Sequence, residues 1–178
     1  MRNKRGISQT FSGAPKGAEF RRATLFDLFD MSRVLTRSIE RLCVEDHGNA
    51  PDAIARWTAN KTPQALRNYL SASDDEVWLL LIDGRLASVG ALGEVERGQG
   101  TGRITLNYVD PDFRGQGAST AMLNHLESRL STQAVTEARV TSTATAHRFY
   151  FSRGWVDAGQ PRAGRWIVGY PMRKSLHP

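Results

Sequence analysis

Residues 107–119 read Asn-Tyr-Val-Asp-Pro-Asp-Phe-Arg-Gly-Gln-Gly-Ala-Ser: a strand pattern that turns through a proline and opens a helix across two glycines. A helix start presents amide donors without intrahelical partners, together with the positive end of the helix dipole. Gly115 and Gly117 remove side chains that would keep a ligand off the backbone. Arg114 to Ser119 therefore has the makings of an anion cradle suited to a phosphate or pyrophosphate. Each charge-assisted hydrogen bond there is worth roughly 1.5–3 kcal/mol. No Lys-Ser or Lys-Thr follows the glycines, so a nucleoside triphosphate loop would lack its lysine and its magnesium-binding hydroxyl. The glycine spacing also misses the dinucleotide fingerprint. The plain alternative is a tight strand-to-helix turn that binds nothing.

A second stretch reads Ala146-His-Arg-Phe149-Tyr150-Phe-Ser-Arg-Gly154-Trp155. With these two segments in this order, about 30 residues apart, the chain resembles the GNAT acetyltransferase superfamily. The family signature Q/R-x-x-G-x-G/A is met by Arg114-Gly115-Gln116-Gly117-Ala118-Ser119, with serine at its last position. The pattern A-x-x-F-Y-x-x-x-G-F is met from Ala146 onward, and Thr143 stands where the family usually has asparagine. The resemblance spans residues 19–174. It implies a mixed α/β fold, the acyl-CoA N-acyltransferase type, with a mostly antiparallel sheet flanked by helices. It further implies an N-acetyltransferase that moves an acetyl group from acetyl-CoA to a primary amine of a small molecule or protein, without a metal. By the same resemblance Tyr108 and Val109 line the pantetheine arm. Arg114, Gly115, Gln116, Gly117, Ala118 and Ser119 hold the phosphates, and Thr143 offers a hydroxyl in place of the asparagine amide.

Acetylating an amine of pKa ~10.4 at neutral pH requires removing a proton at a cost of roughly 4–5 kcal/mol. The thioester oxygen must be polarised and the departing sulfur protonated. Tyr150 is the candidate general acid, and a backbone amide near Val109 the candidate polariser. Family members often carry a glutamate early on the strand before the glycine loop, where this chain has Arg103 and Thr105. Glu94 is the first candidate to replace it as base, then Asp46 and His47, with a chain of waters as the remaining route. Asp46, His47 and Asn107 are also the candidate acceptor contacts. Phe149 reads as core, His147 as surface, and the loop with Gly159-Gln160-Pro161, flanked by Trp155 and Trp166, as one wall of the acceptor cleft. The competing reading is a non-catalytic acyl-CoA-binding or regulatory module with a degenerate acceptor site.

These residues need a scaffold. Residues 19–23 suggest a strand, and Thr24 opens a helix with Asp27 as its capping-box partner. Leu28, Met31, Leu35, Ile39 and Leu42 recur at helical spacing. A helical stretch follows over 52–59, and another begins at Thr62-Pro63, a hydroxyl cap followed by a proline where no amide donor is needed. Val77 to Ile82 reads as a strand turning at Asp83-Gly84 into a partner over 86–95. A turn spans Arg97 to Gly102, and a strand spans 103–109. Then come a helix over 116–130, a strand over 138–141 and a helix over 144–152. Strands at 155–156 and 165–173 close the chain.

The 178 residues suit one domain with a proper core, and the composition is that of an ordinary globular chain. The net charge of +6 is concentrated at the start: residues 1–22 hold six of 24 basic and one of 18 acidic groups, +5, leaving +1 for the rest. Residues 1–18 are therefore expected to be a flexible basic arm and 19–178 a single domain. Nucleic-acid binding is disfavoured as a function. No apolar run approaches the ~20 residues of a membrane span, so no membrane role and a cytoplasmic setting are expected. One cysteine, Cys43, excludes an intrachain disulfide or a cysteine metal cluster and reads as buried packing. A homodimer is left open.

Overall fold

The computed structural model describes residues 13–96 and 99–176, except for the Glu94 side chain. In chain order the elements are β1 (Ala18–Arg22), a 3-10 turn (Leu25–Asp27), α1 (Leu28–Leu42), α2 (Val44–His47), α3 (Pro51–Thr58) and α4 (Pro63–Ala72). Next come β2 (Glu76–Ile82), β3 (Arg85–Glu96), β4 (Thr101–Val109), a 3-10 turn (Pro111–Phe113), α5 (Ala118–Ser131), β5 (Glu137–Ser142) and α6 (Ala144–Phe151). The chain closes with β6 (Val156–Asp157), β7 (Arg162–Ala163) and β8 (Val168–Ser175). The expected mixed architecture is present. The sheet runs β1-β2-β3-β4-β5-β8-β6, with β7 paired to β8, and only the β4–β5 pair is parallel.

Local chemistry explains most boundaries. Thr24 and Asp27 form the reciprocal capping box, and Asp27 also takes both Arg21 guanidinium nitrogens, at 2.6 and 2.9 Å. The Thr62 hydroxyl accepts from the Ala65 amide, with Pro63 at the first position of α4. The last strand begins at Val168 rather than 165, because Gly164 turns the chain and its amide donates to the Ile167 carbonyl. Of the expected Arg97–Gly102 turn, Arg97 and Gly98 lie outside the described residues. So do residues 1–12 of the expected basic arm; within 13–18, Ala14 and Ala18 pack against the core and a turn joins Pro15 to Ala18.

The sheet carries a cluster on each face. On one, α5 presents Met122, Leu123, Leu126 and Leu130 to Leu80, Ile104 and Ala138, with Tyr150 and Trp155 in the same cluster. On the other, α1 and α4 bury Leu28, Met31, Val34, Leu35 and Leu66 against Val77, Leu79, Val89 and Ala91. Glycine sets how closely α5 approaches: a Cβ at Gly90 would stand 2.5 Å from Met122 Sδ, and one at Gly102 2.5 Å from Leu130 Cδ2.

The site depends on one departure from regular pairing. β4 and β5 pair only from Thr101↔Glu137 to Ile104↔Val140. Beyond that, β4 continues to Val109 against β3 alone, while β5 continues to Ser142 against β8. The two strands part, and a wedge opens in the middle of the sheet.

Candidate functional site

A cavity of about 530 Å³ fills this wedge. Its walls are β4 from Ile104 to Val109, residues 140–143 of β5 and its end, the loop from Phe113 through Gly115 to Thr120, and Phe149, Tyr150 and Arg153 of the α6 region. Ser38, Leu42 and Cys43 close the side formed by α1. The volume is in the range of small-molecule and cofactor sites.

At one end lies the glycine loop. Gly115 (φ +77°) and Gly117 (φ +82°) both hold the left-handed conformation that glycine adopts most readily. No side chain caps the start of α5. The amides of Gly115, Gly117, Ala118, Ser119 and Thr120 have no acceptor among the described residues, although the Gln116 and Ala121 amides do. The loop is held open from behind. The Gln116 amide group donates to the Asp112 carbonyl at 2.8 Å. Fully buried Asp110 accepts from Arg33 and Arg37 of α1 at 2.9 and 3.0 Å and from the Asp112 amide at 3.0 Å. Arg37 also bridges to Asp112 at 2.8 Å. This anchorage escapes sequence reasoning, because its partners are 73 and 77 residues apart; the Asp-Pro turn is its only local trace.

Further in, the Asn107 side-chain amide donates to the Tyr150 hydroxyl at 3.4 Å, and both residues line the cavity. Asn107 Oδ1 is buried without a hydrogen-bond partner among the described residues. Tyr150 is held edge-on between Phe149 and Trp155, and burial pushes its phenol up to about 12, against the opposing pull of the Asn107 hydrogen bond. Val109 and Tyr108 both border the wedge. The Tyr108 ring packs on the α1 face with Ile39, Cys43, Trp57, Trp166 and Ile167, where burial raises its phenol well above the ordinary range. Thr143 borders the cavity as well, with its hydroxyl committed to capping α6 through the Ala146 amide at 3.1 Å.

The candidate bases fare differently. Asp46 accepts from the Ala144 and Thr145 amides at 2.7 and 3.3 Å, so its carboxylate anchors the start of α6. His47 is buried with both ring nitrogens engaged: Nδ1 accepts from the Asn49 amide at 3.0 Å, and Nε2 faces the Ile39 carbonyl at 2.9 Å. With Nδ1 accepting, Nε2 is the nitrogen that donates to the carbonyl. Both side chains are thus engaged in holding the scaffold. Glu94 belongs to β3, where the pairing with β4 is irregular between Leu92 and Val95, and its side chain lies outside the described residues. A carboxylate overlooked in the sequence is Asp75: the Thr105 hydroxyl, at the cavity wall, donates to it at 3.4 Å, and so does the Tyr69 hydroxyl.

Of the two tryptophans flanking the expected wall, Trp155 is completely buried, its indole donating to Glu127 at 2.9 Å, whereas Trp166 packs against the same cluster as Tyr108. Cys43 is buried at the cavity edge, and burial pushes its thiol up to about 12, far from the reactive thiolate. Among the described residues no group of His, Cys, Asp and Glu is placed to hold a metal ion, and no helix is long and apolar enough to cross a membrane.

A family model described as an acetyltransferase (GNAT) domain matches residues 43–176. No curated protein matches the sequence. Among solved structures, a GCN5-related N-acetyltransferase from Rhodopseudomonas palustris superposes with a TM-score of 0.75 at 20% identity, covering 92% of this chain and 98% of that one. The PaiA N-acetyltransferase from Thermoplasma acidophilum, solved with coenzyme A, superposes at 0.72 with 15% identity over 89% and 98%. The ribosomal-protein-S18-alanine N-acetyltransferase from Escherichia coli gives 0.62 with 18% identity over 89% and 94%. At these identities the likeness is one of fold.

Proposed function

Because the chain belongs to the GNAT acetyltransferase family, we propose that it transfers an acetyl group from acetyl-CoA to a primary amine in the wedge between β4 and β5. One observation carries the reading: a single cavity joins the amides of Gly115, Gly117, Ala118, Ser119 and Thr120, which have no acceptor among the described residues, to the Tyr150 hydroxyl. The residues fit coenzyme A. The loop amides and the start of α5 suit a pyrophosphate. The edge of β4 facing away from β3, beyond Ile104, offers main-chain groups to the amides of a pantetheine arm. When bound, acetyl-CoA supplies a thioester as the electrophile.

The chain's own groups do the rest. A β4 amide near Val109 polarises the thioester oxygen. Tyr150 donates its proton to the departing sulfur. Asn107 donates to the phenol oxygen, which leaves the phenol proton free to point elsewhere, and stabilises the phenolate that forms. Proton removal from the amine falls to a carboxylate reached directly or through water. Glu94 is the first candidate, and Asp75, reached through the Thr105 hydroxyl, is the second.

The test is thiol release from acetyl-CoA with a panel of amines. Tyr150→Phe is expected to lower kcat about 100-fold with the Kd for CoA unchanged. Glu94→Gln and Asp75→Asn compared across pH identify the base as the one whose loss abolishes the acid limb of the profile. CoA binding with no amine acetylated, and no effect of Tyr150→Phe, would instead establish the acyl-CoA-binding module. Absence of CoA binding would sink both.

A further inference from the structure

Resting on the acyl-transfer reading, we propose that Lys61 receives a carboxylate carried by the acceptor, so that the amine acetylated here belongs to an amino acid or short peptide with a free acid group. Lys61 sits between α3 and α4, its backbone pinned on both sides. Its own amide donates to the Thr58 carbonyl at 2.8 Å, and the next residue, Thr62, caps α4. The ammonium stands over the ring of Tyr108, 6.0 Å from its centroid. Tyr108 borders the cavity and follows Asn107, the residue that contacts the Tyr150 hydroxyl. The cation therefore lies at the α1 and α3 side of the wedge, across the sheet from α5.

Its surroundings are apolar. Tyr108 packs against the buried cluster of Ile39, Cys43 and Trp57, as do Trp166 and Ile167. Half-buried Lys61 forms no ion pair with any described residue, and burial alone moves its ammonium below the ordinary range. Asp46, close enough to influence Tyr108, is committed to the two amides that start α6. A desolvated ammonium without an anion is unfavourable, and the face of one phenol ring returns only part of the loss. A ligand carboxylate would return the rest. Three freely oriented donors on a flexible stem suit the capture of such a group. Side chains of the Cys43–Trp57 segment and of Trp166 and Ile167 belong to the cluster against which Tyr108 packs, so the cation stands beside a residue that borders both this cluster and the wedge.

The experiment measures acetylation and equilibrium binding to the CoA-loaded protein for α- and ω-amino acids and dipeptides, each against its carboxamide. The wild type is expected to favour the carboxylates about 10–100-fold in kcat/KM and in Kd. Lys61→Gln should abolish the preference, chiefly through KM, while leaving carboxamide turnover and CoA affinity unchanged. Lys61→Arg should retain much of it. Lys61→Met should melt no lower than wild type, since it relieves a desolvated charge; a marked drop would make Lys61 a structural residue and overturn the proposal. Equal treatment of carboxylates and carboxamides by the wild type would also overturn it. A carboxylate preference in binding without turnover would uphold Lys61's role and refute acyl transfer instead.

Discussion

Tyr150 combines two properties that a thiolate-protonating acid needs: it is held at the cavity wall, and it stays protonated. Burial raises its phenol to about 12, so the acid form persists throughout the neutral range. Activity dependent on that proton should therefore show no alkaline fall-off from this group up to about pH 10, where an ordinary tyrosine would already be half ionised. A pH–rate profile of wild type checks this; an alkaline limb near 10 that vanishes in Tyr150→Phe would contradict the buried environment. Tyr150 and the glycine loop were legible in the sequence because each is a contiguous string whose spacing carries its meaning. Asp46 and His47 were not. Their partners are residues 144–145 and Ile39, and only the folded chain shows that their polar atoms are already spoken for. Lys61 gave no signal at all, since what marks it is the aromatic ring it faces and the absence of an ion-pair partner among the described residues.

The elements that position the site follow from caps and glycines. Gly117 precedes α5 at φ +82° with no side-chain cap, so its conformation, rather than a capping side chain, presents the first amides of the helix. Gly117→Ala would hold an L residue in a left-handed conformation that costs about 1–2 kcal/mol and place a methyl group in the cradle. CoA affinity, measured by calorimetry, is expected to drop at least about 10-fold, the equivalent of that strain. At the opposite end of the fold, the Arg21 hydrogen bonds hold the Asp27 carboxyl down at about 2, with those from Thr24 assisting. A depressed carboxylate stabilises the fold above its unfolded value of about 3.9, and this contribution is lost as pH falls through 2. Urea midpoints between pH 5 and 2 should fall more steeply for wild type than for Asp27→Asn, which is weaker at neutral pH but flatter below. The capping box and the Thr62-Pro63 start were readable because caps are local. The expected strand at 155–156 is met by β6 one residue later, whereas the four-residue α2 and the two-residue β7 carry too few residues for a period to emerge.

Two clusters pack on the sheet that holds the wedge, one on each face. Trp155 ties the α5-side cluster to β8: it is fully buried against Tyr150, and its indole shares Glu127 with Lys174 of β8, at 2.9 and 2.7 Å. Trp155→Ala should cost about 3–5 kcal/mol, read as a lower urea midpoint, and should loosen Tyr150 enough to reduce kcat as well. The alternation of strands and helices made this architecture foreseeable. The parting of β4 from β5 was not, because it arises where a parallel pairing stops, and no residue type marks that point.

That parting has a consequence for how such a protein can change. On the proposed reading, donor recognition would rest largely on peptide groups of β4 and the glycine loop, which no side-chain exchange can delete. The cluster on the Tyr108 side is assembled instead from side chains of α1, the stretch following it and the stretch preceding β8. Mutation can thus redraw which amine is welcomed while the thioester's berth stays intact, and transplanting residues 43–62 and 158–167 between homologous chains should carry acceptor choice with them.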